Sequence, residues 1–330
     1  MNNNDVELVE KLKEKTEKIY AEVGKVIVGQ NDIVEKLLIS LLAGKHSLLV
    51  GVPGLAKTLL IKTFADVLDL SFKRIQFTPD LMPSDITGTE ILQTDKTTGE
   101  KVFKFIQGPV FANVILADEI NRTPPKTQAA LLEAMQEGQV TASGRTFDLP
   151  KPFFVLATQN PIEQEGTYLL PEAQLDRFMF NLHVDYPAKE EEIEIVKRTT
   201  VPQTVELEKV VSREELQSFI ELVLRVPVAD NLIKKTVEIV SATRPENSAD
   251  EEIKKRVQWG AGPRASQFMI LAAKTRAVLY GRFTPNEEDL RNVALPVLRH
   301  RVIPSFAAEA EGITSEDIIK SVLNRKIATS

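Results

Sequence analysis

Short apolar runs alternate with helical stripes through the first half of the chain. The runs Ser47-Leu48-Leu49-Val50, Ile75-Gln76-Phe77, Val114-Ile115-Leu116-Ala117 and Phe153-Phe154-Val155-Leu156-Ala157 are each too short for a helix, and each gives way to polar residues. That is the pattern of strands buried on both faces of a parallel sheet. Between them, Leu60, Phe64, Val67 and Leu68 share one helical face, and Leu131, Leu132 and Met135 share another. Thr123-Pro124-Pro125 predicts an N-cap with proline at the first helical positions, and Gly138 predicts the stop. The alternation predicts an α/β fold with an open parallel sheet.

Other segments depart from this rhythm. Residues 6 to 23 predict a charged amphipathic helix with Val6, Val9, Leu12, Ile19 and Val23 on its apolar side, expected to lie solvated on the outside. Ile33, Leu37, Leu38 and Leu41 mark a second helix. Ile86 to Phe105, turning near Asp95-Lys96-Thr97-Thr98-Gly99, and Gly138 to Leu149, turning at Ser143-Gly144, predict two projecting β-hairpins. After about Pro187 strands are expected to give way to helices. Ser212-Arg213-Glu214-Glu215 predicts a capping box ahead of Leu216, Phe219, Ile220 and Val223, and Thr284-Pro285-Asn286-Glu287 predicts another. Ile233, Val237 and Val240 mark one further helix, and Phe268 to Tyr280 another. Two domains are expected: 1–200, an N-terminal helix with the α/β core, and 201–330, a helical domain. The linker falls around Thr199-Thr200-Val201-Pro202.

Composition narrows the function classes. With 330 residues, 43% hydrophobic and 27% charged, the chain has room for about two globular domains. A net charge of −6 with both signs interspersed offers no global basic field for a nucleic-acid backbone. The absence of cysteine removes disulfides, thiolate metal sites and cysteine nucleophiles, and fits a reducing, cytoplasmic setting. Met1 to Asp5 lack the features of a signal peptide, and no apolar run approaches the ~20 residues that span a bilayer. His46, His183 and His300 are scattered without metal-ligand spacing.

Three motifs carry chemistry. Gly51-Val52-Pro53-Gly54-Leu55-Ala56-Lys57-Thr58 sits between a predicted strand and a predicted helix, where a phosphate-cradling loop belongs. Its backbone N–H groups and the helix N-terminus favour phosphate, Lys57 reaches the β and γ phosphates, and Thr58 offers a hydroxyl to Mg²⁺. The nucleotide-binding set extends to Leu59. Glycine usually precedes the lysine; Ala56 is tolerable there if its dihedrals are those of a right-handed helix start. An incidental glycine-rich turn is the plain alternative. Asp118-Glu119 ends the third predicted strand at the carboxyl edge, where an open α/β sheet places its ligand. Asp118 can hold Mg²⁺ through water, and Glu119 can orient and deprotonate an attacking water. Taken alone, such a pair is more often a loop start. Asn160, after the fourth strand, can hydrogen-bond both the γ-phosphate and the water, or can be an ordinary turn residue before Pro161.

The strings Gly-Val-Pro-Gly-Leu-Ala-Lys-Thr, Leu-Ala-Asp-Glu-Ile-Asn-Arg, Ala-Thr-Gln-Asn-Pro, Leu-Pro-Glu-Ala-Gln-Leu-Asp-Arg-Phe and Gly-Pro-Arg-Ala-Ser together resemble the MoxR family of AAA+ ATPases. The resemblance runs from about Val28 to the helical C-terminus, and Ala56 is then the family's own variant. It implies an AAA+ P-loop core with an open parallel sheet, two β-hairpin insertions and a helical lid. It also implies that Lys57 and Thr58 bind phosphate and Mg²⁺, that Asp118 and Glu119 form Walker B, and that Asn160 is the first sensor. By the same resemblance Arg264 is the second sensor, touching the γ-phosphate from the lid, and Val28-Gly29-Gln30 lies against adenine. Arg177 resembles an arginine finger reaching a neighbouring subunit's nucleotide. Within the chain it has an alternative in pairing with Asp176 or Glu172, and Arg264 has one as a solvated helix-start arginine.

The function implied is ATP hydrolysis by a ring, a hexamer, driving chaperone-like remodelling, maturation or activation of partner protein complexes. In relatives this includes metal cofactor insertion, often alongside a von Willebrand factor A domain protein. Two alternatives are a motor acting on DNA and a nucleotide-gated scaffold without turnover. The first requires basic hairpin tips, yet Glu90, Asp95 and Glu100 balance Lys96, Lys101 and Lys104, and Arg145 faces Asp148. The second has no need of Glu119, Asn160 and Arg177 together.

Overall fold

The computed structural model describes residues 3–94, 101–142, 144–162, 166–202, 205–248 and 250–327. Helices α1 (Asn3–Gly24) and α2 (Asn31–Leu42) lead into β1 (Ser47–Gly51), α3 (Lys57–Val67), β2 (Phe72–Gln76) and the short α4 (Pro83–Thr87). The hairpin β3 (Gly88–Thr94) and β4 (Lys101–Gln107) follows, then β5 (Val114–Asp118) and α5 (Pro125–Glu137). A second hairpin, β6 (Gln139–Ala142) and β7 (Arg145–Asp148), precedes β8 (Phe154–Gln159), α6 (Glu172–Leu175), β9 (Phe180–Val184) and α7 (Lys189–Thr199). Beyond these lie α8 (Arg213–Arg225), α9 (Asp230–Ala242), α10 (Glu251–Arg256), β10 (Val257–Trp259), α11 (Pro263–Leu279), α12 (Glu287–Leu298), β11 (Ile303–Pro304), α13 (Phe306–Ala310) and α14 (Ser315–Lys326).

Five parallel strands form the sheet in the order β2-β5-β8-β1-β9. Four are the apolar runs read from the sequence. The fifth, β9, was not anticipated: Asn181 and His183 interrupt its apolar residues, as suits an edge strand with a partner on one side only. Successive strand residues divide between two cores, as the period of two requires. Leu49, Leu116 and Leu156 join α1, α2 and α3 and a cluster running on into α8, α9, α11, α12 and α14. Ile115, Ala117 and Val155 pack with Leu131, Leu132 and Met135 of α5 on the opposite face.

Several local expectations are corrected. The first helix is no solvated appendage. Val9, Leu12, Ile19 and Val23 are buried, α1 packs on α3, α8 and α11, and its Asp5 pairs with Arg225 of α8 at 2.9 Å. Thr123 does not cap α5. Pro124 takes that place, and the Thr123 hydroxyl is buried without a partner among the described residues. The Ser212 capping box is present, with Ser212 Oγ accepting from Glu215 N at 3.2 Å. The second box is shifted by two residues: Asn286 is the cap, exchanging hydrogen bonds with Asp289, while Thr284 donates to the Pro227 carbonyl. Asparagine caps better than threonine, so the later start wins.

On α9 the buried stripe is Leu232, Thr236, Ile239 and Val240, leaving Ile233 and Val237 exposed. Both hairpins exist, the first beginning at Gly88 because Ile86 is buried in α4. The turn residues Asp95 to Gly99, and Ser143, lie outside the described residues. Strands do not vanish after Pro187, since β10 and β11 form a small antiparallel pair. Among the described residues no helix is long and apolar enough to cross a membrane.

Candidate active site

The three motifs read as chemical, the Gly51–Thr58 loop, the Asp118-Glu119 pair and Asn160, lie at the carboxyl ends of β1, β5 and β8. The loop after β1 turns into α3 through Ala56, whose dihedrals (φ 53°, ψ 25°) are left-handed. The condition under which alanine is tolerable here, a right-handed helix start, is therefore not met. Ala56 is the N-cap residue, and its left-handed turn is where the loop enters α3. No side chain caps α3, so its first N–H groups are left to a ligand. Lys57 Nζ donates to the Gly51 carbonyl at 2.6 Å, folding back over the loop. Burial lowers the Lys57 pKa, while the nearby charges of Asp118 and Glu119 act the other way. Lysine and acidic pair thus share one electrostatic environment. Thr58 is half-buried and Leu59 exposed at the loop's edge.

Strand β5 is not next to β1, because β8 runs between them and supplies the bridge. Ala157 pairs with Ala117 and Gln159 with Val50, so Asn160 emerges between the ends of β5 and β1. Thr158 donates its hydroxyl to Asp118 Oδ1 at 2.6 Å and accepts the Glu119 N–H at 2.9 Å, pinning both carboxylate-bearing residues. Glu119 is itself left-handed (φ 57°), which turns its side chain off the strand axis. Asn160 is buried, and its Oδ1 accepts the Ile162 N–H at 3.1 Å, so one end of the amide serves the turn.

Sequence reasoning missed three members of this cluster. Arg74 donates to Asp118 Oδ2 through Nε (3.0 Å) and Nη2 (2.6 Å), and Gln76 Nε2 donates to Glu119 Oε2 at 2.8 Å. Thr158 is the third. A signal was present in β2, where Arg74 and Gln76 flank buried Ile75 with period two and so share the face opposite to it.

Beside the loop opens a cavity of about 560 Å³ lined by Val28, Gln30, Pro53, Gly54, Leu55, Ala56 and Leu59, and flanked by Tyr186 and Pro187 ahead of α7 and by Ile195 within it. Gly29 abuts the Glu191 carboxylate so closely that a Cβ would collide with it. Gln30 Oε1 is buried with no partner among the described residues. The two remaining arginines are elsewhere. Arg177 Nη1 donates to the Leu132 carbonyl on α5 at 2.8 Å, and to neither Asp176 nor Glu172. Arg264 pairs with Asp176 at 2.6 Å rather than standing free. The structure thus brings Lys57, Asp118, Glu119 and Asn160 together, and gathers Arg264 at the residue preceding Arg177.

A parallel sheet in this order, with a phosphate-type loop after β1, an acidic pair after β5 and helices following, is the AAA+ class of fold. Residues 46–180 match the ATPase family associated with various cellular activities, and residues 249–322 match the AAA lid domain. Chaperone MoxR1 of Mycobacterium tuberculosis is 47% identical over 93% of this chain and 80% of its own length. Protein MoxR of Paracoccus denitrificans is 30% identical over 92% of both chains. A crystal structure of a provisionally assigned ATPase from Cytophaga hutchinsonii superposes with a TM-score of 0.89 at 44% identity, covering 98% of this chain and 97% of that one. The chain belongs to the MoxR family of AAA+ ATPases.

Proposed function

We propose that this protein binds Mg-ATP in the cleft formed by the Gly51–Thr58 loop and the 560 Å³ cavity, and hydrolyses it to drive remodelling of partner proteins. The observation that carries the reading is the register that sets the Lys57 loop and the Asp118–Glu119 pair at strand ends on either side of β8, with Thr158 of β8 hydrogen-bonded to both acidic residues. Lys57 holds the β and γ phosphates. Thr58 and Asp118 hold Mg²⁺. Asp118 spends one oxygen on Arg74 and one on Thr158, but a carboxylate has about four lone-pair sites, so it keeps capacity for a water of the hydrated ion. Glu119 orients and deprotonates the attacking water, with the Asn160 amide beside it.

Val28, Gly29 and Gln30 receive the base, and the unpartnered Gln30 Oε1 supplies an acceptor for a base N–H. Arg264 contacts the γ-phosphate from the 201–330 lid, and Arg177 completes the site of a neighbouring subunit of the 1–200 core in a cytoplasmic ring of six. The first hairpin supports a protein client over DNA. Phe103 is 70% exposed and Leu92, opposite it in the register, 53%, so its described strands present an apolar patch to solvent.

The test compares wild type with Glu119→Gln. The variant is expected to bind Mg-ATP with unchanged affinity and to turn it over about 10²- to 10⁴-fold more slowly. Equal turnover removes Glu119 from its role, and calorimetry showing no Mg-ATP association removes the whole reading. The trapped variant is also the bait for client complexes, including metal-dependent ones and von Willebrand factor A domain partners.

A further inference from the structure

Arg301 stands at the corner between α12 and β11, and its side chain is only 2% exposed. Burial on this scale lowers its pKa to about 10, still well above neutrality, so the charge is retained. Four of its hydrogen bonds reach one short segment, residues 176–179. Nε donates to Asp176 Oδ1 at 2.7 Å, and Nη2 donates to the backbone carbonyls of Asp176 and Phe178, both at 2.8 Å. Nη1 reaches the carbonyls of Met179, at 3.4 Å, and Val297. The Phe268 ring lies 5.1 Å from the guanidinium carbon, and His300 Nε2 is 2.6 Å from Nη1. Burial holds the His300 pKa well below its usual value, so the imidazole is neutral, and its Nε2 also lies 3.2 Å from the Phe178 carbonyl.

Taking a guanidinium out of water costs several kcal/mol, and an apolar residue of similar volume would pack the same space without that cost. What arginine adds is direction: a rigid fork whose Nε and Nη2 N–H groups converge on residues 176 and 178, while Nη1 anchors the fork to Val297 and His300 of its own corner. The residue skipped is Arg177, whose side chain leaves the clamped segment toward α5.

We propose that Arg301 is the positioning residue of Arg177, clamping the backbone on both sides of it so that the guanidinium is presented to the next subunit at a fixed angle. Asp176 joins this clamp to Arg264, since one carboxylate holds Arg301 through Oδ1 and Arg264 through Oδ2. The inference rests on the proposed action of Arg177 in trans.

Mixed-subunit turnover tests it. Glu119→Gln subunits keep the finger and lack the base, while Arg177→Ala subunits keep the base and lack the finger, so a mixture of the two regains turnover where they are neighbours. Adding Arg301→Lys to the Glu119→Gln subunit is expected to lower that turnover about 10²-fold, the scale of a 1 Å misplacement of a catalytic group. Placing Arg301→Lys on the Arg177→Ala subunit instead is expected to leave it intact, because the finger then comes from the other chain. Undiminished turnover in the first arrangement, or equal loss in both, overturns the proposal. Melting temperature and light scattering establish that the double variant folds and co-assembles. If it does not, Arg301→Gln in the same two arrangements removes the fork without leaving a buried charge and keeps Asp176 on Arg264, and is read by the same criteria. A parent mixture with no turnover sinks the trans reading itself, and this inference with it.

Discussion

Ala56 sits in a backbone conformation that a Cβ makes unfavourable by about 1–2 kcal/mol, at the point where the phosphate loop becomes α3. Glycine there relieves the contact but frees the unfolded chain, so Ala56→Gly is expected to raise stability by roughly 0.5–1 kcal/mol. Ala56→Val should lower it, because a β-branched residue is worse still at positive φ. Urea midpoints of the ligand-free protein measure both. His46 makes a second residue-level prediction. Its Nδ1 accepts the Val155 N–H at 3.1 Å and its Nε2 lies 3.0 Å from the Met135 carbonyl, and burial lowers its pKa to about 4. The unfolded chain takes up the proton near 6.5 and the folded chain only near 4, so stability falls as pH drops between those values. The full contribution is roughly 3 kcal/mol, and burial of His300 acts in the same direction. His46→Gln should flatten the dependence of the urea midpoint on pH between 7 and 4.5. An unchanged slope would locate the effect elsewhere.

At the scale of elements, the two hairpins behave as one projection. Phe105 of β4 stacks on Phe147 of β7, with centroids 4.3 Å apart and planes 12° from parallel, and Phe111 meets both edge-on. A double-mutant cycle of Phe105→Ala and Phe147→Ala is expected to show a coupling of about 0.5–1.5 kcal/mol in denaturant unfolding. Strict additivity would mean that the hairpins are energetically independent. Helix α9 shows a limit of reading by pattern at this scale. Its existence was plain, but its buried face includes Thr236, whose hydroxyl is satisfied by the Leu232 carbonyl at 2.8 Å. A polar residue that bonds its own helix looks solvent-facing in sequence, so the stripe was placed one position away.

Across the whole molecule, Arg177 donates to the Leu132 carbonyl on α5 rather than to any residue of the Lys57, Asp118 and Glu119 cluster, and its proposed role needs the nucleotide of a neighbouring subunit. Turnover per subunit is therefore expected to rise with protein concentration. Arg177→Ala should lower it on the order of 10³-fold and abolish the concentration dependence. A dilution series of steady-state ATPase rates decides the matter, and activity independent of concentration in wild type would speak for a self-sufficient subunit. Helix α1 belongs to this scale as well. Its apolar face and the Asp5–Arg225 pair join the first helix to the helices beyond the sheet within one apolar cluster.

The chain's own order of residues determined what is local. Four of the five strands, the capping box at Ser212, the stop at Gly138, the phosphate-type loop and the acidic pair all follow from apolar periodicity or fixed short spacing, which act within a few residues. What the folded structure alone decided involves partners far apart in sequence. It inserted β8 between β5 and β1, added β9 at the edge, and brought Arg74 and Gln76 onto Asp118 and Glu119 across more than forty residues. It also closed Arg301 around the segment carrying Arg177 across 125 residues. Short-range propensity cannot encode such pairs, because each exists only once the sheet and the helices beyond it have packed and placed two distant backbones within hydrogen-bond reach.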